Sequence, residues 1–163
     1  MKDSVDDLIE QWAAAVNGLD TRTEGIVTRM QLIVRHLSTQ KAASLDGLSV
    51  RTWECATLHA LRRRGEPYAA GPTELAAELG VTGAAMTTRI DTMLHRGYVV
   101  RRYDRADRRR SVVALTRKGV ALADRIMAGQ REVEATLIGA LTESQQDQLT
   151  ALLRRLMHVV EAD

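Results

Sequence analysis

The stretch VVRRYDRADRRRSVVALTRKG, positions 99 to 119, constrains this chain more than any other. Two β-branched runs, YVVRRY and SVVALT, flank the polar segment DRADRRR, and two such runs joined by a polar turn make a β-hairpin. The tip of that hairpin is dominated by arginine. Between Arg101 and Lys118 eight basic residues face Asp104 and Asp107, a local net charge of +6 in a chain whose total is +2. The rest of the chain is therefore mildly acidic, at −4. A focused cationic feature on an acidic body points to a polyanionic partner more strongly than a high overall charge does.

The elements around the hairpin say which polyanion. Pro72 opens a short helix, TELAAEL, closed by Gly80. Val81 and Thr82 make a tight link, and Thr82 is placed to cap the next helix, over 82–96. That helix carries Met86, Ile90, Met93 and Leu94 on one face and stops at Gly97. Short helix, turn, helix and basic hairpin describe a winged helix-turn-helix. The lobe is read over 46–116, with a helix at about 50–64 ahead of it that ends in Arg62, Arg63 and Arg64 before Gly65. GEPYAAG is read as loop, and SLDGL near 44–48 as a turn.

The remaining helices have apolar stripes with no partner in the lobe. Residues 5–16 align Val5, Leu8, Ile9, Trp12 and Val16. From about Thr23, Ile26, Met30, Ile33 and Leu37 run close to a heptad seam. Thr116 caps a long helix through about 139. Thr142 with Gln145 forms a capping box before a last helix with Leu149, Leu152, Leu153, Leu156, Met157 and Val160 on one face. The expected fold is mainly α with a small β-hairpin wing, the segments 1–45 and 117–163 forming a helical dimerisation region.

On the helix over 82–96, Ala84, Ala85, Thr87 and Thr88 are small or hydroxylated. With Thr82 they let a helix approach the major groove and reach base edges or thymine methyls. Arg105, Arg108, Arg109 and Arg110 at the hairpin tip present planar forks for phosphates or a narrow minor groove. The bland alternative is a solvated, self-compensating charge cluster. RNA fits less well than duplex DNA, because sequence-specific RNA readers use exposed aromatic platforms and the five aromatics here are scattered.

Other classes find little support. No stretch approaches the length of a membrane span, and MKDSVDDLIEQW lacks the order of a signal peptide, so the expected location is the cytoplasm, at the nucleoid. The four histidines are scattered without metal-ligand spacing, no phosphate loop or nucleophile elbow is present, and neither cofactor nor enzymatic activity is expected. The single cysteine, Cys55, lies mid-helix; it keeps open a second reading, a repressor that senses oxidants.

The span GPTELAAELGVTGAAMTTRIDTMLHRGYVVRRYDRADRRRSVVALTRKG resembles the MarR (multiple antibiotic resistance regulator) family of bacterial transcription factors. The matching positions are Gly97, Val99, Arg101, Asp104, Asp107, Arg108, Arg109, Leu115, Thr116 and Gly119. The resemblance implies an obligate homodimer that binds a pseudo-palindromic operator, most often as a repressor. LDTRTEGIVTRM, GEPY and AMTTRID further resemble the urate-responsive, PecS-like branch. That likeness implies an effector site for a small aromatic, phenolic or purine anion, with Trp12, Arg89 and Arg101 at three of its positions and Ala56 where the branch has an aspartate. Each of the three has another reading: core packing for Trp12, a phosphate contact for Arg89 and for Arg101.

Overall fold

A computed structural model describes residues 2–103 and 111–162. The element order is α1 (Ser4–Ala15), α2 (Thr21–Gly47), α3 (Thr52–Arg62), β1 (Ala69–Ala70), α4 (Pro72–Glu78), α5 (Gly83–His95), β2 (Val99–Tyr103), β3 (Ser111–Leu115), α6 (Arg117–Ile138) and α7 (Glu143–Val160). The fold is mainly helical with a small antiparallel sheet, as the sequence predicts. The chain divides into two compact units, Met1–Ala43 and Ser44–Asp163.

In the first unit, Asp3 caps α1 by accepting from the Val5 N–H at 2.9 Å, while Asp6 reaches back to the Asp3 N–H at 2.8 Å. Arg29 on α2 then clamps both carboxylates, at 2.9 Å to Asp3 and 2.7 Å to Asp6. The Arg29 guanidinium is the main reason the Asp3 carboxyl sits below its ordinary pKa. The apolar residues of this unit stay largely in solvent: Leu8, Trp12, Val16, Ile26, Met30 and Ile33 are all exposed.

The second unit holds the core. Cys55, Leu58 and Leu61 of α3, Met86, Ile90 and Met93 of α5, Val99, Val113 and Leu115 of the sheet, and Ala123 and Ile126 of α6 are all buried. The α5 spacing of 4 then 3 is the helical period that puts one stripe inward. Helix α7 is different: none of its residues is buried.

Two sequence expectations change. SLDGL is not a turn, because α2 runs on to Gly47. Leu45 is 2 % exposed and belongs to the core, and the chain turns later, at Ser49, with φ of 52°. The loop GEPYAAG contains a strand, β1, which pairs antiparallel with β3 through Ala69–Ala114 and Ala70–Val113. The hairpin is therefore part of a three-stranded sheet, ordered β1-β3-β2. Two residues are too few for a period-2 pattern to show.

The junction of α5, β2 and α6 is tightly specified. Thr116 caps α6 by accepting from the Gly119 N–H at 3.0 Å and donates to the Gly97 carbonyl at 2.8 Å. A Cβ on Gly119 would lie 2.1 Å from the Tyr98 carbonyl oxygen, so only glycine fits there. Beside this junction, Glu54 of α3 is fully buried and accepts twice from Arg96, at 2.8 and 2.7 Å. Arg96 also donates to the Ser49 carbonyl at 2.8 Å and lies 4.9 Å over the Tyr98 ring. A buried carboxylate is tolerated only when paired in this way.

Arg96→Met strands that carboxylate in the core and is expected to cost about 3–5 kcal/mol. Glu54→Gln should cost less, because the Arg96 side chain is 31 % exposed and can turn to water. Urea midpoints at unchanged slope measure both. Equal costs, or the reverse order, would show that the pair is not the buried-charge anchor described.

Candidate nucleic-acid interface

Helix α4, the turn and α5 form the helix-turn-helix. Gly80 turns the chain with φ of 62°, and the Val81 N–H closes back on the Ala76 carbonyl at 3.0 Å. Thr82 then caps α5, its Oγ1 accepting from the Ala85 N–H at 3.2 Å. The arginine triplet at the end of α3 is divided among neighbours rather than left in solvent. Arg62 pairs with Asp124 of α6 at 2.8 Å and stacks on Tyr68, Arg63 pairs with Glu78, and Arg64 pairs with both Glu74, at 2.9 Å, and Glu78. Two carboxylates of α4 are thus fastened to α3.

With the inner face of α5 committed to the core, the outer face presents Ala84, Thr87, Thr88, Asp91 and His95 to solvent, with Ala85 half-buried on one side. Thr87 and Thr88 donate their hydroxyls back to the Gly83 and Ala84 carbonyls, at 3.0 and 3.2 Å. That geometry turns their oxygen lone pairs and methyl groups outward. Such a surface accepts from the exocyclic amines of adenine or cytosine and packs against thymine methyls.

Strand β2 stands beside this face. Arg101 donates to Asp91 at 2.9 Å, joining the base of the wing to α5. Arg105, Arg108, Arg109 and Arg110 lie outside the described residues, as do Asp104 and Asp107.

The expected effector residues have separate settings. Trp12 is on α1 of the first unit, 53 % exposed. Arg89 lies over the ring of Trp53, on α3, at 5.7 Å from its centroid. Arg101 is engaged by Asp91. Ala56 is half-buried, and Glu54 points to Arg96. Sequence reasoning missed Trp53 and Arg96, since no local signal links residues 36 and 42 positions apart. Cys55 is fully buried, its Sγ 3.9 Å from Gln130 Nε2 and from the His59 ring nitrogens. A buried thiol is poorly placed to meet an oxidant. Among the described residues no group of three His, Cys, Asp or Glu could hold a metal, and no helix is long and apolar enough to cross a membrane.

Comparison with known proteins agrees with this geometry. The HTH-type transcriptional regulator PecS of Dickeya dadantii is 30 % identical over 155 residues, covering 93 % of this chain and 92 % of its own length. The chain belongs to the MarR family. The family's own profile matches residues 46–110, the segment that carries α3 to the wing. The HTH-type transcriptional repressor MdtR of Bacillus subtilis is 22 % identical, over 88 % of this chain and 91 % of itself. Among solved structures, a point variant of S. aureus MepR bound to an oligodeoxyribonucleotide shares the fold with a TM-score of 0.64, at 21 % identity, over 83 % of this chain and 97 % of that one. The protein is a MarR-family transcriptional regulator of the winged-helix type.

The α3–α4 fastening carries a pH signature. Arg64 holds the Glu74 and Glu78 carboxyls below their ordinary pKa. A depressed folded-state pKa stabilises the protein above the unfolded value and loses that contribution as pH falls through the folded one. Thermal stability should therefore decline as pH drops from about 5 to about 3. Glu78→Gln should flatten that decline in a melting series. Superimposable acid limbs for the two proteins would contradict the assignment.

Proposed function

We propose that this regulator binds a pseudo-palindromic operator as a homodimer, acts as a repressor at the bacterial nucleoid in the cytoplasm, and is released by a small aromatic, phenolic or purine anion. The observation that carries the reading is the outer face of α5. Small and hydroxylated side chains point outward there, one strand away from a sequence of clustered arginines. Thr82, Ala84, Ala85, Thr87 and Thr88 enter the major groove in this reading. Arg105, Arg108, Arg109 and Arg110 contact phosphates or the neighbouring minor groove.

A second copy of the chain is the natural cover for the exposed apolar stripes. Leu152, Leu153, Leu156, Met157 and Val160 all stand in solvent on α7, a larger apolar surface than a monomer ordinarily shows. A two-fold dimer carries its two α5 helices about 34–36 Å apart, matching half-sites one helical turn apart. Trp12, Arg89 and Arg101 are the effector residues in this reading, with an indole for the ring and guanidinium forks for the anion. An anion that binds one arrangement of the two α5 helices better than the other shifts the population away from DNA.

Affinity for a duplex of the intergenic DNA beside its own gene should fall by roughly 10³–10⁵ between 50 and 200 mM salt, for 6–10 phosphate contacts. Arg109→Ala should weaken that binding and lower the salt slope by about 1 with no change in melting temperature. A flat salt response, or full affinity in a folded Arg109→Ala protein, would contradict the interface. Trp12→Ala combined with Arg89→Ala should abolish release by urate or salicylate in a shift assay. A double variant that still lets go of DNA would contradict the effector site.

A further inference from the structure

Arg89 differs from the other arginines on and around α5. Arg96 is held by Glu54, Arg101 by Asp91 and Arg62 by Asp124. Arg89 makes no hydrogen bond or ion pair among the described residues. Its contact is the face of Trp53, at 5.7 Å from the ring centroid. Trp53 is half-buried and packs against the core, so the shelf under Arg89 is fixed.

The two directions of this contact matter. Stacking uses the face of the guanidinium plane, whereas hydrogen bonding uses its edge, where five N–H donors lie in one plane. A guanidinium resting on an indole therefore keeps its whole donor edge available and loses rotamer freedom before any ligand arrives. Position 56, one turn on from Trp53, is Ala56, so no carboxylate from that turn of α3 neutralises the charge. Arg89 shares its flank of α5 with Ala85, Thr92 and Arg96, all half-buried, next to the exposed face of Thr88. A side chain on that flank reaches the phosphate backbone when the neighbouring face lies in the groove.

We propose that Trp53 and Arg89 form a preorganised oxyanion receptor on the flank of α5, Arg89 binding and Trp53 positioning. Its ligand is one planar or tetrahedral oxyanion, a carboxylate or a phosphate, supplied by a small effector or by the DNA backbone. This rests on the reading that α5 enters DNA and that a small anion releases it. One fork cannot serve both sources at once, so the receptor is where effector and operator exclude each other. Linkage then requires DNA to weaken the effector by the factor with which the effector weakens DNA.

The test compares the full-length wild type with Trp53→Leu, which keeps apolar volume and loses the π face, Trp53→Phe, which keeps a smaller one, and Arg89→Gln, which removes the fork. The DNA arm uses the intergenic duplex, and the small-anion arm uses salicylate, with binding also measured by calorimetry without DNA. Trp53→Leu should weaken one or both ligands by about three- to thirtyfold. Arg89→Gln should weaken them at least as much and, in the DNA arm, lower the salt slope by about 1. Trp53→Phe should recover most of the Trp53→Leu loss. A change in the DNA arm alone assigns the receptor to a backbone phosphate, in the salicylate arm alone to an effector carboxylate, and in both to a shared site. Folded Arg89→Gln and Trp53→Leu proteins that match the wild type in both arms overturn the receptor. If Trp53→Leu does not fold, Trp53→Phe decides the positioning role by the same comparison. A wild type that ignores duplex DNA sinks the DNA reading instead, and salicylate calorimetry on wild type and Arg89→Gln then decides the receptor, loss in the variant upholding it and its absence overturning it.

Discussion

The pairing of Glu54 with Arg96 is the constraint on which the DNA-binding lobe depends. A fully buried carboxylate at the start of α3 takes both nitrogen–oxygen contacts from the residue that ends α5. The same guanidinium holds the Ser49 carbonyl and lies over Tyr98, whose ring also receives Lys118 of α6. Three helices and the turn before them thus meet at one charge pair. Its low-dielectric setting makes it costly to break on one side only. With the end of α5 fixed there and its start fixed by the Thr82 cap, the azimuth of the helix is set, and so is the face it shows to solvent.

That face has a chemical character because of what it lacks. Its first two turns carry no long side chain, and its threonine hydroxyls are spent on the helix backbone. Close approach and shape then do more than reach. The charge needed for a polyanion comes from neighbours: the wing, whose base is tied to α5 through Arg101 and Asp91, and Arg89 on its indole shelf. Separating the reading surface from the charges leaves the charged groups free to respond to a second anion without rebuilding the reading helix.

Local order was legible in the sequence, and distant pairing was not. The short helix, Gly80 turn, capped second helix and β-branched runs each follow from residues a few positions apart, which is why the winged helix-turn-helix stands as read. Leu-Thr-x-x-Gly announced a capped helix start, but only the 2.1 Å approach to the Tyr98 carbonyl explains why the last position is Gly119. Helix α2 overran its expected stop because Leu45 gains more by burial than SLDGL gains by turning. Strand β1 escaped notice because pairing with β3 makes it a strand, not its own pattern. At the candidate site, the small outward face of α5 was evident from helical periodicity. The partners of Arg89, Arg96 and Arg101 were not, since Trp53 and Glu54 lie dozens of residues away and Asp91 meets Arg101 only across the turn at Gly97.

The central claim is that two chains grip one duplex. Sedimentation equilibrium of the purified protein with a labelled intergenic duplex, at low ionic strength, reads this directly as the mass of the complex. The account predicts two protomers on each duplex. A complex with one protomer, or duplex that sediments unaccompanied, would contradict it.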